Sequence, residues 1–140
     1  MNTETRQSED RFSGVLLFVY GTLKRGHCRH GLIASQEFVG PARTCPCYRM
    51  VHCGSYPGLI ESTEGIAIEG ELWRVAPRLI GELDNVEGVD IGLYERRGVR
   101  LDAPHEGLAA ESYFYARDSR RLPDAGACWG ESASESSHTP

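Results

Sequence analysis

Val15-Leu16-Leu17-Phe18-Val19-Tyr20-Gly21-Thr22-Leu23-Lys24-Arg25-Gly26 is the stretch on which the fold turns. An unbroken apolar run from Val15 to Tyr20 stops at a glycine. It is too short for a buried helix and reads as a strand covered on both faces. The segment from Gly21 to Gly26 is then a turn. Beyond it, His27 to Ser35 has helical spacing, with Leu32 and Ile33 one turn past Cys28 and Arg29. Glu37 to Val51 holds strand-like pieces interrupted by Pro41 and Pro46. Gly54 to Gly58 is a turn by its chemistry, and Leu59-Ile60 opens a short strand. Gly65 to Val75 alternates, with Ile66, Ile68, Gly70 and Leu72 on one face and Ala67, Glu69, Glu71 and Trp73 on the other.

Pro77 to Glu87 is the clearest helix. Proline suits a first turn because its missing N–H has no partner there anyway. Leu79, Ile80, Leu83 and Val86 follow at helical spacing, and Gly88 is a C-terminal cap. Tyr94 to Leu101 and Glu111 to Ala116 read as two strands joined through the polar loop Asp102 to Gly107, a hairpin arrangement. This order predicts an α+β protein: a small mixed, mostly antiparallel, barrel-like sheet with two main helices.

The chain has 140 residues, enough for one domain with a core. Residues 1–13 are polar, charged and aperiodic, which predicts a disordered arm. Residues 130–140 are low in complexity and predict a flexible tail, leaving 14–129 as the domain. The net charge of −5 argues against nucleic-acid binding, which needs a basic surface. No run approaches the roughly 18–20 apolar residues of a membrane span, and the N-terminus lacks a signal-peptide core. With five cysteines, an odd count, a disulfide framework is disfavoured and a cytoplasmic location expected.

Two segments carry chemistry. A buried strand running into a Gly-bracketed turn can aim several backbone N–H groups at one anion, or it can simply turn the chain. The phosphate-loop pattern fails here, because His27 and Cys28 stand where lysine and serine or threonine are required. At the second helix end, Asp84 and Glu87 share a face. A carboxylate at the negative end of a helix is disfavoured, so its pKa should rise, and burial acts the same way. That suits Glu87 to proton transfer near neutral pH, with an ordinary solvated glutamate as the alternative. Cys45, Cys47, His52 and Cys53 can be drawn as a metal cluster. Their spacing is not that of a structural zinc site, so no metal is expected.

Together, Tyr20-Gly21-Thr22-Leu23, Gly70-Glu71-Leu72-Trp73, Leu83-Asp84-Asn85-Val86-Glu87-Gly88 and Tyr94-Glu95-Arg96-Arg97-Gly98-Val99 resemble the γ-glutamylcyclotransferase-like family. The likeness is greatest to its small γ-glutamylamine cyclotransferase, avirulence-induced and butirosin-pathway members. It runs from about Val15 to Ala116. The resemblance implies an enzyme that cyclises a γ-glutamyl group to 5-oxoproline, releasing an amine or amino acid without a cofactor. It implies Glu87 as acid/base. Tyr20, Gly21, Thr22 and Leu23 would then cradle the substrate, and Tyr94, Arg96 and Tyr115 would complete the pocket. The alternative is a non-catalytic module binding a γ-glutamyl compound or another anion on the same fold.

Overall fold

The computed structural model describes residues 14–130. The expected arm at 1–13, and the expected tail beyond Gly130, lie outside the described residues. Seven strands form one sheet: β1 (Val15–Val19), β2 (Glu37–Arg43), β3 (Tyr48–His52), β4 (Pro57–Glu61), β5 (Glu69–Val75), β6 (Tyr94–Val99) and β7 (Ala110–Tyr115). The helix α1 (Pro77–Val86) lies between β5 and β6.

The hydrogen-bonded path is β2-β5-β1-β7-β4-β3, with β6 also on β7. Four pairings are antiparallel, while β1 and β4 both run parallel to β7. The mixed, mostly antiparallel sheet is therefore as expected. Its path is open rather than a closed barrel, ending on β2 and β3. The β6–β7 hairpin pairs throughout, from Tyr94 opposite Tyr115 to Val99 opposite Ala110.

β1 is covered on both faces. Phe18 and Tyr20 pack in one core with Tyr48, Met50, Leu59, Leu72 and Phe114. Leu17 and Val19 pack in another with Trp73, Val75, Tyr94, Tyr113 and the helix residues Ile80 and Leu83. Alternation along β5 does the same, sending Leu72 to the first core and Trp73 and Val75 to the second. β5 begins later than the pattern suggested, at Glu69, and Ile66 is exposed.

Two sequence expectations change. His27 to Ser35 is not a helix but a chain of tight turns around one 3₁₀ turn, His30–Leu32. Gly31 sits at its centre, and Ile33 is the single fully buried residue of the segment. One buried side chain cannot anchor an amphipathic helix against the cost of forming it. The fold thus has one main helix. Pro41 does not interrupt a strand, because β2 lies at the sheet edge, where a missing N–H does no harm.

β7 creates the site. Its first residues, Ala110 and Glu111, pair with β1, while Phe114 pairs with β4. β1 and β4 therefore part company along β7 and leave a fork. Tyr20 fills it. Its hydroxyl accepts from the Leu59 N–H at 3.0 Å and donates to the Tyr113 carbonyl at 2.5 Å. Residues 123–127 bind the other side of the molecule. His52 donates to the Pro123 carbonyl, Ala125 to that of Met50, and Glu69 to that of Ala127.

Candidate active site

The cleft opens where β1 ends, at the fork. Its walls include Tyr20, Gly21, Thr22, Leu23, Tyr56, Pro57, Glu87, Leu93, Tyr94 and Tyr113. Gly21 is required by contact. A β-carbon there would lie 2.7 Å from Pro57 Cγ, so any side chain would push the loop off β4. The loop is held from within, by Lys24 N–H to Gly21 carbonyl at 3.1 Å and Arg29 N–H to Thr22 carbonyl at 2.8 Å. From outside, the buried Lys24 ammonium donates to the Trp129 carbonyl at 3.1 Å. Among the described residues, the N–H groups of Gly21, Thr22 and Leu23 donate to no protein atom. Three successive free amides in a loop that lines a cleft can seat an anion.

Glu87 reaches the same cleft from the end of α1. It is the C-cap of α1, its N–H bonded to the Leu83 carbonyl at 2.8 Å. Gly88 follows at φ 72°, a left-handed turn that glycine adopts freely, and the chain leaves the helix there. The Glu87 side chain thus lines the cleft while only 8% of the residue is exposed. Burial pushes its pKa up, and the Arg29 guanidinium, 3.4 Å away, opposes part of that rise. The net direction is upward, as expected, and burial is its cause.

Asp84, one turn earlier, is treated differently. Both its oxygens accept from Arg96, at 3.0 and 3.1 Å, and the Tyr113 hydroxyl donates to it at 2.7 Å. Arg96 also bonds Glu111 at 2.6 Å. Burial works against the charge on Asp84, but these donors outweigh it and hold its pKa low. Asp84 and Glu111 in turn raise that of Arg96.

The residues named from sequence divide accordingly. Tyr20, Gly21, Thr22, Leu23, Glu87 and Tyr94 come together around the cleft. Tyr94 donates to the Pro57 carbonyl, and burial raises its pKa well above the phenol range. Arg96 is not among the lining residues and stands behind Tyr113, in the Asp84 network. Tyr115 lies two pairs further along the hairpin, with its ring packed edge-on against Tyr94 at 6.0 Å. Tyr113 is the β7 tyrosine that lines the cleft. Alternation alone does not choose between them, because residues two apart share a face.

Sequence reasoning did not assign Arg29, Pro57 or Tyr113 to the site. Lys24, Arg25 and Arg29 follow Gly21 closely in the sequence, and that run of basic residues is the signal that could point to Arg29. Among the described residues no group of three His, Cys, Asp or Glu side chains can hold a metal. Cys45 and Cys53 instead contact the carbonyls of Leu101 and Val51.

The profile of the gamma-glutamyl cyclotransferase, AIG2-like family matches residues 17–131. A protein of Arabidopsis thaliana bearing a gamma-glutamylcyclotransferase name is 39% identical over 97 residues, 63% of this chain. The match spans 51% of that relative, about half its length. The human gamma-glutamylaminecyclotransferase is 32% identical over 120 residues, covering 73% of this chain and 78% of its own. The crystal structure of a mouse AIG2-like protein shares the fold, with a TM-score of 0.73 at 24% identity over 84% of this chain and 90% of that one. No described helix is long and apolar enough to cross a membrane. The match across both the loop and the helix end, on the fold that joins them, places this chain in the gamma-glutamyl cyclotransferase, AIG2-like family.

Proposed function

We propose that the chain cyclises γ-glutamyl compounds to 5-oxoproline, with Glu87 as acid/base and the Gly21–Leu23 amides holding the substrate's α-carboxylate. The observation that carries this is one cleft lined both by a row of amides unpartnered among the described residues and by a buried carboxyl of raised pKa. The amides hold the γ-glutamyl group by one end. Its α-amine then folds back toward its own γ-carbonyl, and an intramolecular attack held in that geometry gains a large effective concentration.

Glu87 takes a proton from the α-ammonium. The freed nitrogen forms a bond to the γ-carbonyl carbon. The ring nitrogen sheds its second proton as it becomes an amide. The bond from that carbon to the departing nitrogen breaks, Glu87 returns the first proton to that nitrogen, and the second completes the departing ammonium. The sum is one γ-glutamyl compound in, one 5-oxoproline and one amine out. Nothing is oxidised or reduced. A carboxyl whose pKa sits closer to neutrality both accepts and returns a proton more readily. Family membership, with the human relative named for the γ-glutamylamine reaction, supports this reading. Tyr94 supports the cleft wall through its bond to Pro57.

The test is release of 5-oxoproline from a panel of γ-glutamyl amino acids and γ-glutamyl amines. Glu87→Gln should lower turnover by about 10²–10⁴-fold, the usual worth of a general acid/base, with an unchanged circular dichroism spectrum. Full turnover by that variant removes Glu87 from the chemistry. No product from any substrate would favour a binding module.

A further inference from the structure

The cyclisation as written gives Arg29 no part, yet Arg29 lines the cleft. Its main chain is fixed, because its N–H is bonded to Thr22 in the anion-seat loop. Its side chain is less constrained: it is 44% exposed and reaches Glu87 through one nitrogen at 3.4 Å. Among the described residues the guanidinium has no other partner. Charge-assisted N–H···O bonds ordinarily run about 2.7–2.9 Å, and a guanidinium presents a two-pronged fork that fits a carboxylate. One long contact uses little of that capacity.

Its place beside Glu87 says which carboxylate it suits. During proton return a Glu87 oxygen must lie about 2.6–3.2 Å from the departing nitrogen. In a γ-glutamyl α-amino acid that nitrogen bears a carboxylate whose carbon is two bonds on, about 2.5 Å away. A guanidinium next to Glu87 is next to that group. The γ-glutamyl unit's own carboxylate is met by the loop amides. A plain alkylamine leaving group brings nothing for the guanidinium to meet.

We propose that Arg29 is a specificity-determining residue that receives the leaving group's carboxylate, so that γ-glutamyl α-amino acids are preferred over γ-glutamyl alkylamines. This rests on the cyclisation reading. It also couples recognition to chemistry. When the guanidinium turns to the substrate, the positive charge that favours ionised Glu87 is shared with a second carboxylate. Glu87 then becomes the stronger base as the substrate seats.

γ-Glutamylalanine and γ-glutamylethylamine differ by that one carboxylate. Wild type should favour the first in kcat/KM by at least about tenfold, the lower end for a bond to a charged group. Arg29→Met should bring the ratio to about one, mainly by raising KM for γ-glutamylalanine, and Arg29→Lys should keep part of it. The substitution also removes the charge beside Glu87, which an alkylamine substrate leaves in place, so recognition is read separately from basicity. Calorimetric binding of the same pair supplies a readout independent of turnover. A binding preference erased by Arg29→Met, with no 5-oxoproline formed, keeps the recognition and discards the cyclisation. A wild-type ratio near one, a ratio that survives Arg29→Met, or binding of neither compound overturns the role of Arg29.

Discussion

Asp84 and Glu87 are both carboxylates on one face of one helix, a single turn apart, and the protein treats them in opposite ways. Asp84 is met by a bidentate arginine and a tyrosine hydroxyl, so its charge is favoured. Glu87 is more deeply buried and has one distant cation, so its charge is disfavoured. Spacing along a helix fixes which side chains share a face. What stands opposite that face decides what each one does. Here the hairpin supplies Arg96 and Tyr113 against Asp84, and the fork in the sheet leaves a cleft against Glu87.

The sharpest way to break this contrast is to remove each carboxylate in turn. Glu87→Gln should abolish most turnover and leave the fold intact, as set out above. Asp84→Ala should do the reverse. It leaves Arg96 and the Tyr113 hydroxyl short of their acceptor and should cost about 1–3 kcal/mol in urea unfolding. Its turnover should fall by much less than that of Glu87→Gln. If Asp84→Ala instead matched Glu87→Gln in turnover at full stability, the division between the two would fail.

Acidity sharpens the comparison further. A group with a raised folded-state pKa favours the fold below its ordinary pKa and loses that contribution as pH rises through the raised value. Glu87 is such a group, so Glu87→Gln should melt higher than wild type at pH 7–8. The gain should vanish below the ordinary glutamate pKa of about 4.3. Asp84 has the opposite sign. Its contribution is present above about pH 3.9 and is lost as pH falls through its depressed value. Asp84→Asn should therefore melt lower than wild type at neutral pH, with the deficit shrinking in strong acid. Melting curves from pH 2 to 8 check both, and parallel profiles would refute the assignment. The smallest effect belongs to Tyr113→Phe. It deletes one hydroxyl from the Asp84 network and should cost about 0.5–1.5 kcal/mol, measured by the same unfolding.

Much of this was readable before any coordinates. The length and purity of the Val15–Tyr20 run told of a strand buried on both faces. Pro77 and Gly88 marked the two ends of the one long helix. Position alone leaves Glu87 open between a proton-transfer carboxyl and a solvated glutamate, and the family resemblance is what singles it out. The failures share a cause, which is that they depend on what lies across space. Nothing local separates Tyr113 from Tyr115, since both point the same way and only the position of Asp84 picks one. Arg96 looked like a pocket residue until its two acidic neighbours were in place. His27 to Ser35 has the spacing of a helix but too little apolar surface to be held as one. Arg29 is ordinary in sequence and becomes notable only beside Glu87.

The bond from Lys24 to Trp129 has a consequence in time. The two residues are 105 positions apart. On a ribosome the cradle loop emerges first and the residue that receives its ammonium comes a hundred codons later. A chain that stops short of Pro123 would possess every residue of the cleft. Yet it would leave Lys24, which is 7% exposed in the full fold, without the carbonyl it meets there, and the edge of β3 uncovered. The loop beside the cleft and the edge of β3 thus reach their final stability together, when residues 123–129 join the fold.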